Sequence, residues 1–243
     1  MRRKSQFLKK RKKIYHFSFF WYSIFTFLIF YFFYLFIFVY PIFLIKNFEV
    51  ESKNPFLAKK VFLFLKPQNI LFFNEKKIKK EIMSQFLEIK DVLLKKKFSD
   101  KIEVKVEERK EFLEFCFKSC FVSDDEGFLF SQKPQTQIPK VFVDKDLFLG
   151  SVIFSKREIL NIFQIIEHLK KREISFEEIK IENGNLIFKN SHGFSLIFDP
   201  QKDFQWQIKK LFTFLDKTEN KEDLEKIKII DLRFGNFVNF QYY

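Results

Sequence analysis

From Phe17 to Ile45 the chain runs for 29 residues without a charge, relieved only by Ser18, Ser23, Thr26 and Pro41 among apolar and tyrosine side chains. A helix needs about 20 apolar residues to cross the hydrocarbon core of a bilayer, so residues 17–45 are expected to form a transmembrane helix. Trp21 and Tyr22 near one end and Tyr40 near the other stand about 28 Å apart at helical rise, where amphipathic rings favour the headgroup level. A cleaved signal peptide would carry an apolar stretch of roughly 7–15 residues ending in small side chains. This one leaves through Tyr40-Pro41-Ile42-Phe43-Leu44-Ile45 and is read as retained.

Charge sets the orientation. Eight of the 44 basic residues fall in the first thirteen positions, with no acid among them. Basic flanks stay on the cytoplasmic side, so residues 1–16 are expected to be a cytoplasmic tail and the chain beyond the span to be extracytoplasmic. What remains is 36 basic against 31 acidic residues, dispersed along the chain. The overall charge of +13 is therefore not the clustered footprint of a nucleic-acid partner. The 40 phenylalanines read as generic hydrophobes.

Beyond the span, Ile45, Phe48 and Val50 begin a strand. Asn54-Pro55 supplies a helix cap with Pro at the first helical position, and Ala58, Val61, Phe62 and Leu65 follow at helical spacing. Lys66-Pro67 closes that helix. Asn74 caps a second, with Ile78, Ile82, Phe86 and Leu87 on one face. Val92 to Leu94 form a strand, and Ile102, Val104 and Val106 alternate with Glu103, Lys105 and Glu107, the period of a strand with one face buried. Residues 46–110 thus read β-α-α-β-β.

Residues 111–243 are richer in strands. Turns are expected at Lys118-Ser119 and Asp124-Asp125-Glu126-Gly127, and the capping box Ser155-Lys156-Arg157-Glu158 opens a helix that buries Ile159, Ile162, Phe163, Ile166 and Leu169. Asn183-Gly184 marks a hairpin. Asp199-Pro200 is read as the start of a helix burying Phe204, Ile208, Leu211, Phe212 and Leu215. Strands from Ile227 to Phe234 and from Phe237 to Tyr243 flank a turn at Gly235-Asn236. The fold class is α+β.

The spacings that catalysis requires are missing: H-E-x-x-H, G-x-S-x-G, C-x-x-C and a phosphate-cradling glycine loop do not occur. His16, His168 and His192 lie far apart in sequence, and the acidic turn at Asp124 lacks the further oxygen ligands of a calcium loop. No cofactor, metal or small-molecule substrate is expected. Cys116 and Cys120 fall in the compartment where disulfides persist. On one continuous strand they would be about 13 Å apart, beyond bridging distance. Across a two-residue turn at Lys118-Ser119 they become diagonal neighbours that could be joined, and two buried thiols remain the alternative.

In order and spacing these features resemble the FtsQ/DivIB family of bacterial division proteins. The likeness rests on the basic tail and single span, and on the β-α-α-β-β module closed by Ile102-Glu103-Val104-Lys105-Val106-Glu107-Glu108-Arg109, which is similar to that family's POTRA module. Asp124-Asp125-Glu126-Gly127 and Ile230-Asp231-Leu232-Arg233-Phe234 match two further landmarks. The chain departs where Lys110 and Glu111 follow Arg109 in place of a usual Pro. The resemblance implies a non-catalytic scaffold at the division septum that binds small bitopic partners of the FtsB and FtsL type through its strand-rich domain.

Phe237 to Tyr243 carries no charge, although exposed strand edges are usually guarded by lysines. The expected partner site is accordingly an edge strand, with Ile230, Leu232, Phe234, Phe237, Val238, Phe240 and Tyr242 as candidate residues. A central, buried strand is the alternative arrangement. The competing functional readings are a POTRA-type polypeptide-binding component of a secretion system, and a membrane-anchored cell-wall enzyme, for which no paired carboxylates or activated nucleophile can be named.

Overall fold

The computed structural model describes residues 20–36, 44–97, 100–134, 137–190, 194–217 and 226–243. The basic tail, residues 17–19 and 37–43 of the apolar run, His16 and His192 lie outside them. Residues 20–36 form helix α1, and among the described residues no helix is long and apolar enough to cross a membrane. The chain divides into two compact units, Met1–Gln85 with Asp91–Glu107, and Phe86–Lys90 with Glu108–Tyr243.

The first unit holds strand β1 (Asn47–Glu51), helices α2 (Pro55–Phe64) and α3 (Glu75–Gln85), and most of strands β2 (Ile89–Lys97) and β3 (Lys101–Glu108). Its sheet has the order β1-β3-β2, with β1 and β3 parallel from Asn47↔Lys101 to Glu51↔Lys105. Asn54 caps α2 by accepting from the Phe56 and Leu57 amides at 3.0 and 3.4 Å, so the first turn begins with its orphan donors satisfied. Leu57 and Val61 of α2, Ile82 of α3 and Ile102 and Val104 of β3 are buried. Phe62, expected on the same face of α2, is 49% exposed, and Glu103, expected on the polar face of β3, is buried, so the 3.6 and 2.0 periodicities hold only in part. Phe86 and Leu87 lie past the end of α3.

In the second unit nine strands form one sheet. They are β4 (Leu113–Cys116), β5 (Cys120–Ser123), β6 (Leu129–Ser131), β7 (Lys140–Val143), β8 (Phe176–Glu182), β9 (Asn185–Asn190), β10 (Ser195–Phe198), β11 (Ile227–Asp231) and β12 (Asn239–Tyr242). Their order is β12-β11-β10-β9-β8-β7-β4-β5-β6. Helices α4 (Lys156–Lys171) and α5 (Phe204–Lys217) contribute Ile159, Ile162, Ile165, Ile166, Leu169, Ile208 and Leu211 to a core shared with the strands. Phe115, Phe188 and Phe198 are its largest fully buried side chains. The Ser155–Glu158 capping box forms with both reciprocal bonds. Asn183 and Gly184 both take positive φ, 52° and 76°, as a two-residue turn that matches the strand twist requires.

Two local readings are corrected. Cys116 and Cys120 are directly opposed in the β4–β5 register, with sulfurs at the bonding distance of 2.06 Å, so the turn between them is 117–119 and not the two-residue turn expected. Helix α5 begins at Phe204, not at Asp199-Pro200. Asp199 instead accepts from the Gln201 amide at 3.0 Å in a turn, and Asp203 does the capping, accepting from the Trp206 amide at 3.2 Å. Phe204, Phe212 and Leu215 are only partly buried.

The two landmarks Arg109 and Asp124, fifteen residues apart in sequence, meet. Asp124 is fully buried and pairs with the Arg109 guanidinium. Its other oxygen accepts from the Glu126 and Phe128 amides at 2.9 and 3.0 Å. Arg109 also donates to the Leu87 carbonyl at 3.1 Å and stacks 4.0 Å from the Phe128 ring centroid. The Asp124 carboxylate thus serves the turn and the ion pair. Gly127 sits at φ +79°, and a Cβ there would lie 2.4 Å from the Phe154 carbonyl oxygen. Left-handed backbone in a non-glycine residue costs on the order of 1–3 kcal/mol, and here the obstacle is backbone as well. Gly127→Ala is expected to lose at least about 2 kcal/mol, read as a lowered urea midpoint with an unchanged slope.

Candidate partner-binding edge

Strand β12 lies at one end of the nine-stranded order, hydrogen-bonded on one side to β11 through Ile230↔Phe240 and Asp231↔Asn239. Its other side presents backbone N–H and C=O groups of the kind an extended chain pairs with. All four of its residues are exposed. Phe237 is 65% exposed, Tyr242 59% and Phe240 43%, so the uncharged terminal segment carries a band of accessible aromatic surface. Phe240 meets Phe214 of α5 at 5.5 Å in a tilted arrangement and Tyr242 at 5.4 Å edge-on.

The candidate residues divide by burial. Phe234, Phe237, Phe240 and Tyr242 are exposed, and Val238 is partly buried. Ile230 and Leu232 have no accessible surface and belong to the core, so as partner-touching side chains they are withdrawn. In a strand with one buried face, alternate side chains serve the core, and Ile230 is one of these.

Helix α5 holds the edge in place. Lys210, itself buried, donates to the carbonyls of Leu232, Phe234 and Gly235 at 2.6, 3.0 and 3.2 Å, and Trp206 Nε1 reaches the Gly235 carbonyl at 3.3 Å. Burial pushes the Lys210 ammonium below its ordinary range, with the Asp231 carboxylate acting against that shift. Arg233 grips Asp231 with two bonds of 2.9 and 2.6 Å and reaches Asn185 at 3.0 Å. For Asp231, burial opposes ionisation, but the hydrogen bonds and charge of Arg233 outweigh it and hold the carboxyl below its usual value.

Between α5 and the terminal segment runs a groove of about 420 Å³, lined by Trp206, Lys209, Lys210, Thr213, Phe214, Lys217, Asn236 and Val238. It adds a basic, aromatic wall to the strand edge. The sequence reading missed this wall, although Trp206, Lys209, Thr213 and Lys217 recur at the spacing of one helical face opposite the buried Ile208 and Leu211. Glu114, Cys116 and Cys120 have their oxygen and sulfur atoms within 4.8 Å of one another, but both sulfurs are taken up in the disulfide.

Two outcomes follow from this support. Lys210→Met takes the ammonium donor from the Leu232 and Phe234 carbonyls, while Gly235 keeps Trp206 Nε1, and an unsatisfied buried polar group costs about 1–3 kcal/mol. A loss in that range is expected, together with faster amide exchange across 232–242. The acid sensitivity has a definite sign. A carboxyl whose folded pKa lies below its unfolded value near 3.9 stabilises fully above that value, and the contribution disappears as pH falls through the folded pKa. Asp231, with Asp91, Asp125 and Glu158 shifted the same way, places that loss below about pH 4. Asp231→Asn is expected to show a smaller drop in unfolding free energy between pH 7 and pH 3.

No curated protein matches the chain. Residues 58–109, from the first turns of α2 to the arginine that pairs with Asp124, match the family model of the POTRA domain, FtsQ-type. Residues 58–109 are therefore a POTRA domain of the FtsQ type.

Proposed function

We propose that the chain is a non-catalytic, single-span scaffold of the bacterial division machinery. Residues 17–45 anchor it with the tail 1–16 in the cytoplasm, the POTRA module extends over 46–110, and the β domain over 111–243 binds extracytoplasmic partners. The partners are small bitopic division proteins of the FtsB and FtsL type, taken up by strand addition along β12. The observation that carries this reading is the exposed, uncharged aromatic edge of β12 beside the lysine-bearing face of α5, in a chain with an FtsQ-type POTRA domain. Backbone pairing along the edge supplies affinity, and the aromatic band with Lys209 and Lys217 selects a segment carrying apolar and acidic side chains.

A fluorescent fusion at the N-terminus, imaged in dividing cells, tests the proposal. The intact protein is expected to gather in a band at mid-cell, and the form lacking residues 237–243 to reach the band without bringing the later partners. A uniform envelope signal from the intact protein would overturn the division role and favour polypeptide binding in secretion.

A further inference from the structure

The membrane-proximal module shows a second surface that the β12 edge does not explain. Residues 55–80 contain seven lysines and one acid. Among the described residues, Lys59, Lys60, Lys66, Lys76 and Lys80 form no ion pair, whereas Lys77 and Lys79 pair with Glu81 and Asp91. Interleaved with these lysines are large exposed apolar side chains: Phe56, with the Lys60 ammonium 4.6 Å from its ring centroid, is 65% exposed and Leu63 70%. Phe56, Lys59, Lys60 and Leu63 recur at i, i+3, i+4 and i+7, on one outward face of α2 opposite the buried Leu57 and Val61. The pattern is that of a helix lying on a bilayer, with apolar side chains entering the headgroup boundary and lysines at the phosphates.

A neighbouring turn continues the face. Asn69 accepts from the Leu71 amide at 2.9 Å and fixes the short 3₁₀ turn Ile70–Phe72, which presents Leu71 at 54% exposure. A groove of about 590 Å³ between α2 and α3 joins the two, with Leu63, Lys66, Phe72 and Lys77 on its walls. The same turn is tied to the chain where the apolar run ends. Leu44 forms a bridge with Asn69, and the Ile45 amide donates to the Gln68 carbonyl at 2.9 Å.

We propose that the α2 face and the Ile70–Phe72 turn dock on the anionic surface of the bilayer that residues 17–45 cross, fixing the POTRA module flat on the membrane. The proposal rests on the reading of 17–45 as a membrane span. Given that span, the bridge of Leu44 to Asn69 ties the turn to the end of the apolar run, and the net positive charge of 55–80 matches anionic lipid, which attracts juxtamembrane lysines. A protein partner would need an acidic, apolar surface at the same place, and nothing in the fold brings one there.

The test uses the full chain in bilayer discs of phosphatidylcholine, with or without about one third phosphatidylglycerol. An environment-sensitive fluorescent residue replaces Leu28, Leu63, Leu71 or Ser84, one at a time, and nitroxide-bearing lipids act as quenchers. Leu28 lies within α1 and reports the span. Ser84 lies about 15 Å along α3 from Asn74 and serves as the exposed reference. Probes at 63 and 71 are expected to quench at least about threefold more than the probe at 84 in anionic discs, and to fall toward it in neutral discs or in the triple variant Lys59→Gln, Lys60→Gln, Lys66→Gln. Quenching at 28 with none above reference at 63 and 71 would overturn the docking and leave the span standing. Quenching at 63 and 71 that ignores lipid charge would overturn the anionic specificity. No quenching at 28 would overturn the span, and the docking with it.

Discussion

Asp124→Ala is expected to lower the unfolding free energy by about 3–5 kcal/mol, the loss that follows when one partner of a buried ion pair is removed. The carboxylate is fully buried, pairs with Arg109 and accepts from two turn amides. Its loss leaves a guanidinium without its counter-charge and two N–H groups without an acceptor, each unfavourable in a low-dielectric interior. Arg109→Met should cost a similar amount for the mirror-image reason, because it strands the buried carboxylate. Denaturant titration followed by Trp206 fluorescence reads both.

The pair also makes a prediction about context. Arg109→Met combined with Asp124→Leu is expected to cost less than the sum of the Arg109→Met and Asp124→Leu losses, because two apolar side chains avoid the desolvation that the ion pair requires. The double-mutant cycle should then give a coupling of about 1–3 kcal/mol. Additive losses, with no recovery, would show that the turn amides matter and the ion pair does not. Gly127→Ala strikes the same turn through backbone strain and should not be rescued by either replacement.

What could be read in advance follows the range over which each signal acts. Asn54-Pro55, the Ser155–Glu158 box and Asn183-Gly184 are complete within a few residues, and each forms the cap or turn its chemistry calls for. The β-α-α-β-β order follows from periodicity, but the parallel pairing of β1 with β3 does not, because no local property of Asn47–Glu51 names its partner about fifty residues on. Competing local signals explain the error at α5: Asp199 and Asp203 both have cap chemistry, and only tertiary packing, including the Asn161 bond to the Pro200 carbonyl at 2.8 Å, makes the first a turn. The candidate edge was half legible. The lack of charge in Phe237–Tyr243 was visible, but the burial of Ile230 and Leu232 and the contribution of Trp206, Lys209 and Phe214 depend on which side of the sheet α5 covers. Arg109 and Asp124 stood out separately as landmarks, and only the fold shows that each is the other's partner.

Deleting residues 237–243 is expected to weaken binding of an FtsB-type partner at least about 100-fold, equivalent to about 2.7 kcal/mol. Strand addition places its backbone bonds along one edge, so removal of β12 takes away the whole template, and β11 beneath it presents a different register. The deletion also removes the Phe240 contact with Phe214, which leaves open whether pairing or aromatic surface carries the affinity. Phe240→Lys and Tyr242→Lys separate them. Both side chains are exposed, so the fold tolerates the change, while lysines on an edge strand are a standard obstacle to further pairing. A loss of about 10-fold or more from either lysine variant, with Phe240→Leu and Tyr242→Phe close to wild type, is the signature of strand addition guarded by charge. If the conservative variants lose as much as the lysines, the rings themselves are the anchors, as aromatic hot spots often are. Full affinity in the deletion would remove β12 from the interface and move attention to the α5 face, where Lys209→Glu and Lys217→Glu would then be expected to slow association with a partner bearing acidic side chains.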